Sequence, residues 1–364
     1  MTNQPHAPTI PPHVLLDTLP QALGLPHLRQ THGLRLFYGD LHNHTGYSDG
    51  CGRPQEALRQ MRARGLHFAA ITDHGEYFDR LTTIRDTDKW AATAQQVALH
   101  TSDDFLAIRG FEWSSPRQGH SNVWCSMAYT GYHDTGDRSM QAFYDWLRQA
   151  QPVPGAEVLA SFNHPGREVT CFDGCVFVPA LDDRLVALEC FNRGDDYGEA
   201  FFQALDRGWH VGAIGVSDHH GDDWGNPTLP RAGILAPALT LAQLQSALMA
   251  RRVFATRAPT LILLMLGQER LMGSRLQLGR AEPLSLEVWC HDPRASRGRA
   301  RLELWSNGGR CIATSETRGV QQLSWQVTIP PREAREHWFV VRLLYDGMVQ
   351  AYSSPLWAHW STSH

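Results

Sequence analysis

The stretch Leu34-Arg35-Leu36-Phe37-Tyr38-Gly39-Asp40-Leu41-His42-Asn43-His44 decides how this chain is read. An apolar run of strand length stops abruptly at an aspartate and two histidines. His42 and His44 lie two apart, and residues i and i+2 of an extended backbone face the same side. Two imidazoles placed this way can hold one cation between them.

Working outward, the pattern recurs. HFAAITDH (67–74), DFLAIRGFEW (104–113), NVWCSMAY (122–129), VLASFNHP (158–165), LVALECFN (185–192) and HVGAIGVSDHH (210–220) are further apolar runs, most closing on polar residues. Helical patterns fill the gaps, over Pro54–Arg64, Asp88–His100, Met140–Gln151, Glu199–Arg207 and Leu241–Arg251. Pro54 suits a first helical turn and Gly65 a C-terminal stop. Strand–helix alternation from Leu34 to about Arg257 predicts an α/β unit with a mostly parallel sheet, open or closed into a barrel.

After Arg257 the character changes. PLSLEVWC, ARLELWSN, LSWQVTIP and HWFVVRLLYDG read as strands, with turns at Asn307-Gly308-Gly309 and Asp346-Gly347. The expected organisation is therefore an N-terminal arm (1–33), an α/β unit (34–257) and a small all-β, sandwich-like unit (258–364).

His74, Glu112, His164, Asp218 and His220 each fall where a predicted strand ends, as His42 and His44 do. Loops leaving the strand ends of an α/β sheet converge on one face. Side chains distant in sequence would meet there, with Asp49 and His120 joining from the following loops. Imidazole and carboxylate donors without thiolate suit Zn, Mn or Fe. Any one histidine alone is more often structural, and His67, His100, His133, His210, His291 and His359 are read that way. Several strand ends carrying such groups is hard to ascribe to packing, because charged groups avoid cores unless paired or metal-bound.

These residues resemble the motifs of the PHP (polymerase and histidinol phosphatase) superfamily. The resemblance rests on Asp40-Leu41-His42-Asn43-His44 with Ser48-Asp49-Gly50, Thr72-Asp73-His74, Gly110-Phe111-Glu112-Trp113, Asn163-His164-Pro165 and Ser217-Asp218-His219-His220. Glu112-Trp113 followed by Gly119-His120-Ser121-Asn122-Val123, and the tail Ala351-Tyr352-Ser353-Ser354-Pro355-Leu356-Trp357, are similar to the CehA/McbA-type branch, which includes carbamate-ester hydrolases. The resemblance implies a distorted seven-stranded β/α barrel. It implies one metal at His42, His44, Glu112 and Asp218, a second at Asp49, His74 and Glu112, and a third at His120, His164 and His220, with His219 left out.

Two or three divalent metal ions in such a cluster would lower the pKa of bound water to about 7 and bridge the resulting hydroxide. Three carboxylates (Asp49, Glu112, Asp218) against three divalent cations leave the site at +3, matched to hydroxide and a phosphate dianion. Two cations leave +1, matched to hydroxide and a neutral ester. Nine candidate ligands favour three, hence a metal-dependent phosphoesterase with Glu112 and Asp218 at its centre. The alternatives are a carbamate or carboxylic ester hydrolase and a non-catalytic metal-binding module. Arg167 and Arg193 follow motif residues and could grip phosphate, though surface arginines fit equally well. Asp40 and Asp73 are expected to orient imidazoles, and Trp113 and Trp224 either wall the pocket or fill the core. The tryptophans of the β unit read as packing rather than a sugar platform.

The bulk composition fits this enzyme-like reading. The chain has 364 residues, 42% hydrophobic and 19% charged, enough for a large core. A net charge of −4 offers no nucleic-acid footprint, and the run Arg294, Arg297, Arg299, Arg301 reads as a solvated face. Seven cysteines without a CxxC pair argue against a disulfide framework or thiolate zinc site. With no secretory start and no membrane-length apolar run, the expectation is a cytoplasmic enzyme with a small-molecule ester substrate and neither nucleic-acid nor membrane partner.

Overall fold

The structure is a computed structural model that describes residues 14–15, 33–80, 82, 84, 86, 88–293, 298–319 and 321–362. Of the expected N-terminal arm, only Val14–Leu15 and Gly33 fall among these, and Arg294 and Arg297 lie outside them. The strands are β1 (Val14–Leu15), β2 (Arg35–Asp40), β3 (Phe68–Ile71), β4 (Leu106–Ser115), β5 (Gly119–Trp124), β6 (Leu159–Asn163), β7 (Leu185–Asn192), β8 (Asp195–Asp196), β9 (Gly212–Val216), β10 (Arg231–Ala236) and β11 (Val253–Thr256). Then follow β12 (Ile262–Gly267), β13 (Arg270–Leu271), β14 (Arg275–Leu278), β15 (Leu284–His291), β16 (Arg299–Ser306), β17 (Arg310–Arg318), β18 (Gln322–Ile329), β19 (Glu336–Tyr345), β20 (Met348–Ser353) and β21 (Leu356–Trp360). Five helices match the expected ones to within two residues: α1 (Pro54–Ala63), α2 (Lys89–His100), α3 (Met140–Gln149), α4 (Gly198–Asp206) and α5 (Leu241–Met249).

Local chemistry accounts for the helices. Pro54 opens α1 and the Glu56 carboxylate accepts from the Arg53 amide at 2.7 Å, closing the first turn. Ser139 caps α3, and its buried Met140, Phe143, Tyr144 and Leu147 follow the i, i+3, i+4, i+7 stripe. Between the helices, β2–β3, β3–β4, β6–β7 and β7–β9 pair in parallel, giving a mixed α/β fold. Strands covered on both faces read as unbroken apolar runs, and every residue of β3 and β7 is buried.

Three features differ from the sequence expectation. The run 122–129 contributes only its first three residues to a strand, because β5 begins earlier, hairpins against β4 and stops before Cys125 at φ +63°. Glu112 consequently sits inside the ten-residue β4 rather than beyond its end. β10 and β11 were not expected, and β10 runs antiparallel to β2. Ladders connect β9, β7, β6, β5, β4, β3, β2, β10 and β11 in that order, and none joins β9 to β10 or β11 among the described residues. β9 nonetheless lies against β10, since a Cβ on Gly215 would sit 2.8 Å from the Arg231 carbonyl oxygen.

Beyond Arg257 the described residues form strands and no helix. β13, β12, β15 and β18 make a separate antiparallel sheet, while β20 continues the large sheet by pairing with β11 (Phe254↔Ser353). The change of character at Arg257 is thus no break in hydrogen bonding. Trp289, Trp338, Trp357 and Trp360 are buried, and the Trp338 indole N–H donates to Asp206 at 2.9 Å, so these rings are core rather than platform. Arg299 and Arg301 pair with Glu316 and Glu303. All seven cysteines are free thiols. No helix among the described residues is long and apolar enough to cross a membrane.

His210 ties the two parts together. Its Nδ1 lies 2.7 Å from Asp182 and its Nε2 2.8 Å from Glu336 of β19. Burial opposes its charge, but the two carboxylates outweigh this and raise its pKa above the usual 6.5. A raised histidine pKa gives stability that is complete below the unfolded value and is lost as pH climbs through the folded one. The thermal midpoint of His210→Gln is therefore expected to fall further below wild type at pH 5.5 than at pH 9. An equal deficit at both values would remove the ion pairs from the account.

Candidate metal centre

Three groups of donors lie together, Glu112 and His120 coming from within β4 and β5 and the others from outside the strands: His42, His44 and Asp218; His44, Asp49, His74 and His220; and Glu112, His120 and His164. His42 and His44 flank Asn43, whose backbone bridges to His219, so both rings project to one side. His74, just past the end of β3, is bridged to Glu112 of β4, and His120 faces β6 from β5. Asp218 and His164 adopt left-handed backbone at φ +46° and +29°, and Arg193 at +52°. Such non-glycine residues cost about 1–3 kcal/mol each and gather at functional sites.

Glu112 is central and almost fully buried. Its Oε1 lies 3.3 Å from His42 Nε2, 3.3 Å from His120 Nδ1 and 3.4 Å from His164 Nε2. Its Oε2 lies 2.9 Å from His74 Nδ1 and 3.5 Å from His44 Nε2. One carboxylate thus spans all three groups. Around the first, His42 Nε2 and His44 Nε2 are 3.0 Å apart, and Asp218 Oδ1 lies 3.4 and 3.2 Å from them. Donors about 2.0–2.1 Å from a tetrahedral ion stand about 3.3 Å from one another.

The proton positions make this proximity informative. His42 Nδ1 is 2.8 Å from Glu189 Oε1, an acceptor-only group, so Nδ1 carries the proton. His44 Nδ1 is 3.2 Å from Ser48 Oγ, whose own hydrogen goes to Asp73 at 2.5 Å. Both Nε2 atoms then face each other and two carboxylates. Only a cation or an added proton makes that arrangement favourable, so the residues present fit a divalent ion. Burial opposes charge on His42, yet Glu112, Asp218 and Glu189 hold its pKa well above the histidine norm. Burial and the neighbouring His74 push His44 down to about 3. His164, despite its burial, is raised to about 9 by Glu112 and Glu168.

His220 stands with Asp49 and His74, its Nε2 being 3.3 Å from Asp49 Oδ1, and not with His120 and His164 as the motif resemblance implied. The left-handed turn at Asp218 and the contact of Arg193 Nη2 with His220 Nδ1 (2.6 Å) set this direction. His219 pairs with Asp223 at 2.8 Å, away from the cluster. Asp40 orients backbone rather than an imidazole, accepting from the amides of His42 and Ser217, whereas Asp73 accepts from the amides of Thr45 and Ser48 and, through the Ser48 hydroxyl, also steers the His44 ring. Burial raises the Asp40 pKa to about 6. Trp113 and Trp224 are buried in the core, although the Trp224 indole N–H holds the His44 carbonyl at 3.0 Å.

Arg167 and Arg193 both reach Asp218 Oδ2, each at 3.4 Å, and are partly exposed at the rim of the cluster. Two carboxylates escaped the sequence reading. Glu189 was signalled only as the one charged residue in LVALECFN. Glu168 Oε1 lies 3.6 Å from His164 Nδ1 and 3.8 Å from His120 Nε2, on the side opposite Glu112.

No curated protein matches the chain. Among solved structures, a two-domain protein from Bacteroides vulgatus containing a predicted PHP-like metal-dependent phosphoesterase is 17% identical, covering 89% of this chain and 96% of its own at a TM-score of 0.49. An amidohydrolase from Chromobacterium violaceum is also 17% identical, covering 51% of this chain and 89% of its own at 0.29. Residues 40–158, which carry His42, His44, Asp49, His74, Glu112 and His120, match the PHP domain family.

Proposed function

We propose that the cluster holds two or three divalent cations (Zn, Mn or Fe) and that the protein hydrolyses a small-molecule phosphoester. The observation that carries this is the pair of Nε2 atoms of His42 and His44 at 3.0 Å, ringed by Glu112 and Asp218. The ligand set is the nine residues His42, His44, Asp49, His74, Glu112, His120, His164, Asp218 and His220, with His220 joining the Asp49 group. The catalytic unit is residues 34–257, read as a distorted barrel, and residues 258–364 are a second unit.

Divalent cations, when bound, supply Lewis acidity that polarises a substrate oxygen and lowers the pKa of water to about 7. The chain's own groups then divide the remaining work. Asp218 turns Oδ1 to the imidazoles and Oδ2 to both arginines, so the cation side and the rim share one carboxylate. Arg167 and Arg193 bind and orient the anionic oxygens of the substrate, exchanging Asp218 for phosphate. Glu112 holds the three donor groups in register.

Glu168 and Glu189 change the charge balance. Counting five carboxylates, three divalent cations leave +1 and two leave −1, before the arginines restore +2. Preference for a phosphate therefore rests on Arg167 and Arg193. The same lowered balance favours the second reading, a carbamate or carboxylic ester hydrolase of the CehA/McbA type. Metal analysis of purified protein, with assays on phosphomonoesters, phosphodiesters, carboxylic esters and carbamates, separates them. Arg167→Ala and Arg193→Ala are each expected to raise KM for the phosphoester about 10- to 100-fold, as loss of a charged hydrogen bond does. Faster turnover of neutral esters, unchanged in both variants, would select the second reading. Full metal content with no hydrolysis of any class would select a non-catalytic module.

A further inference from the structure

We infer that Glu189 is a positioning residue that fixes the tautomer of His42 and, through Asn192, sets Arg167 at the rim. The inference rests on the proposed cation site. Glu189 projects from the middle of β7 and is fully buried, as is Asn192 at the end of that strand. Its Oε1 takes His42 Nδ1 at 2.8 Å. Its Oε2 accepts from the His164 amide at 2.7 Å and from Asn192 Nδ2 at 2.9 Å. Asn192 Oδ1 in turn accepts from Arg167 Nη2 at 3.2 Å.

All three neighbours of this carboxylate act as donors, and an ionised carboxylate is acceptor-only. The proton of His42 is thereby kept on Nδ1, and the Nε2 lone pair is left for the cluster. A glutamine in this place has one acceptor oxygen and one donor NH2. It must set that NH2 against both the His164 amide and Asn192 Nδ2, or against His42 Nδ1. The last choice moves the ring proton to Nε2, where it blocks a cation. Asn192 cannot reverse its amide without turning Nδ2 toward Arg167, so a single buried unit orients a cation donor and an anion-binding guanidinium together. Carboxylates behind a ligating histidine commonly contribute about 10- to 100-fold to metal affinity.

The test is Zn2+ affinity of the full chain, measured by competition with a chelator. Glu189→Gln is expected to bind Zn2+ about 10- to 100-fold more weakly. Glu189→Asp, still acceptor-only, is expected to recover part of the loss. Asn192→Ala is expected to keep Zn2+ affinity within about threefold while raising KM for a phosphoester with kcat held, since Arg167 loses a bond worth about that of a charged hydrogen bond. Wild-type affinity in Glu189→Gln alongside weakened binding in His42→Ala overturns this inference alone. Equal losses in the Gln and Asp variants overturn it too, because shape rather than acceptor chemistry would then matter. Undiminished Zn2+ binding by His42→Ala sinks the cation site itself. Should Glu189→Gln not fold, Co2+-loaded wild type carries the decision: a metal-shifted ring N–H of His42 protected from solvent exchange supports the proposal, and its absence overturns it.

Discussion

Glu112→Gln is expected to reduce bound divalent metal to at most one ion per chain and hydrolysis by about a thousandfold or more, beyond the loss of one oxyanion donor. The expectation follows from geometry. Both oxygens of this buried carboxylate are in use, Oε1 toward His42, His120 and His164 and Oε2 toward His44 and His74. Asn163 Nδ2 donates to Oε1 at 2.8 Å and fixes its direction. The amide removes the one negative charge common to all three groups and turns an N–H toward imidazole lone pairs. Burial works against charge on Glu112, and the surrounding His42, His120 and His74 hold its pKa well below the carboxylate norm, so the native group is ionised. Plasma emission analysis and turnover measured on the same preparation check the result. Wild-type metal content in Glu112→Gln would falsify the bridging role.

Trp113→Ala is expected to destabilise the fold by about 3–5 kcal/mol, the range for removing a buried aromatic side chain. Trp113 has no exposed surface and stacks on Phe143 of α3 with ring centroids 4.3 Å apart. Its indole N–H donates to Thr135 Oγ1 at 2.9 Å. Truncation leaves a cavity between β4 and α3 and removes the indole donor from the Thr135 hydroxyl, which keeps its bond to the Gly131 carbonyl. The neighbouring Glu112 points to the opposite face of β4, so metal content per folded molecule is expected to stay at the wild-type value. Chemical denaturation measures the first quantity and metal analysis the second. A stability change below about 1 kcal/mol would contradict the core assignment. Loss of metal at full stability would place Trp113 at the pocket after all.

The contrast between these neighbours shows what was legible from the residues alone. Period-two and period-3.6 patterns are local, so the runs ending in His42, His74 and His164 located strands, and α1 to α5 fell within two residues of expectation. Strand-end histidines and carboxylates were visible as chemistry out of place in apolar runs. β10 and β11 carry no polar terminus of that kind and passed unnoticed, although β10 pairs directly with β2.

Amino-acid order by itself determined the alternation of strands and helices, the switch to all-β structure after Arg257, and the inventory of nine donors. Tertiary structure decided which donors meet: His220 with Asp49, Glu189 behind His42, Arg167 and Arg193 on Asp218. The reason is physical. Periodicity is set by each residue's near neighbours along the chain, whereas ring tautomers and carboxylate partners depend on atoms that approach within about 3 Å only after separate strands pack.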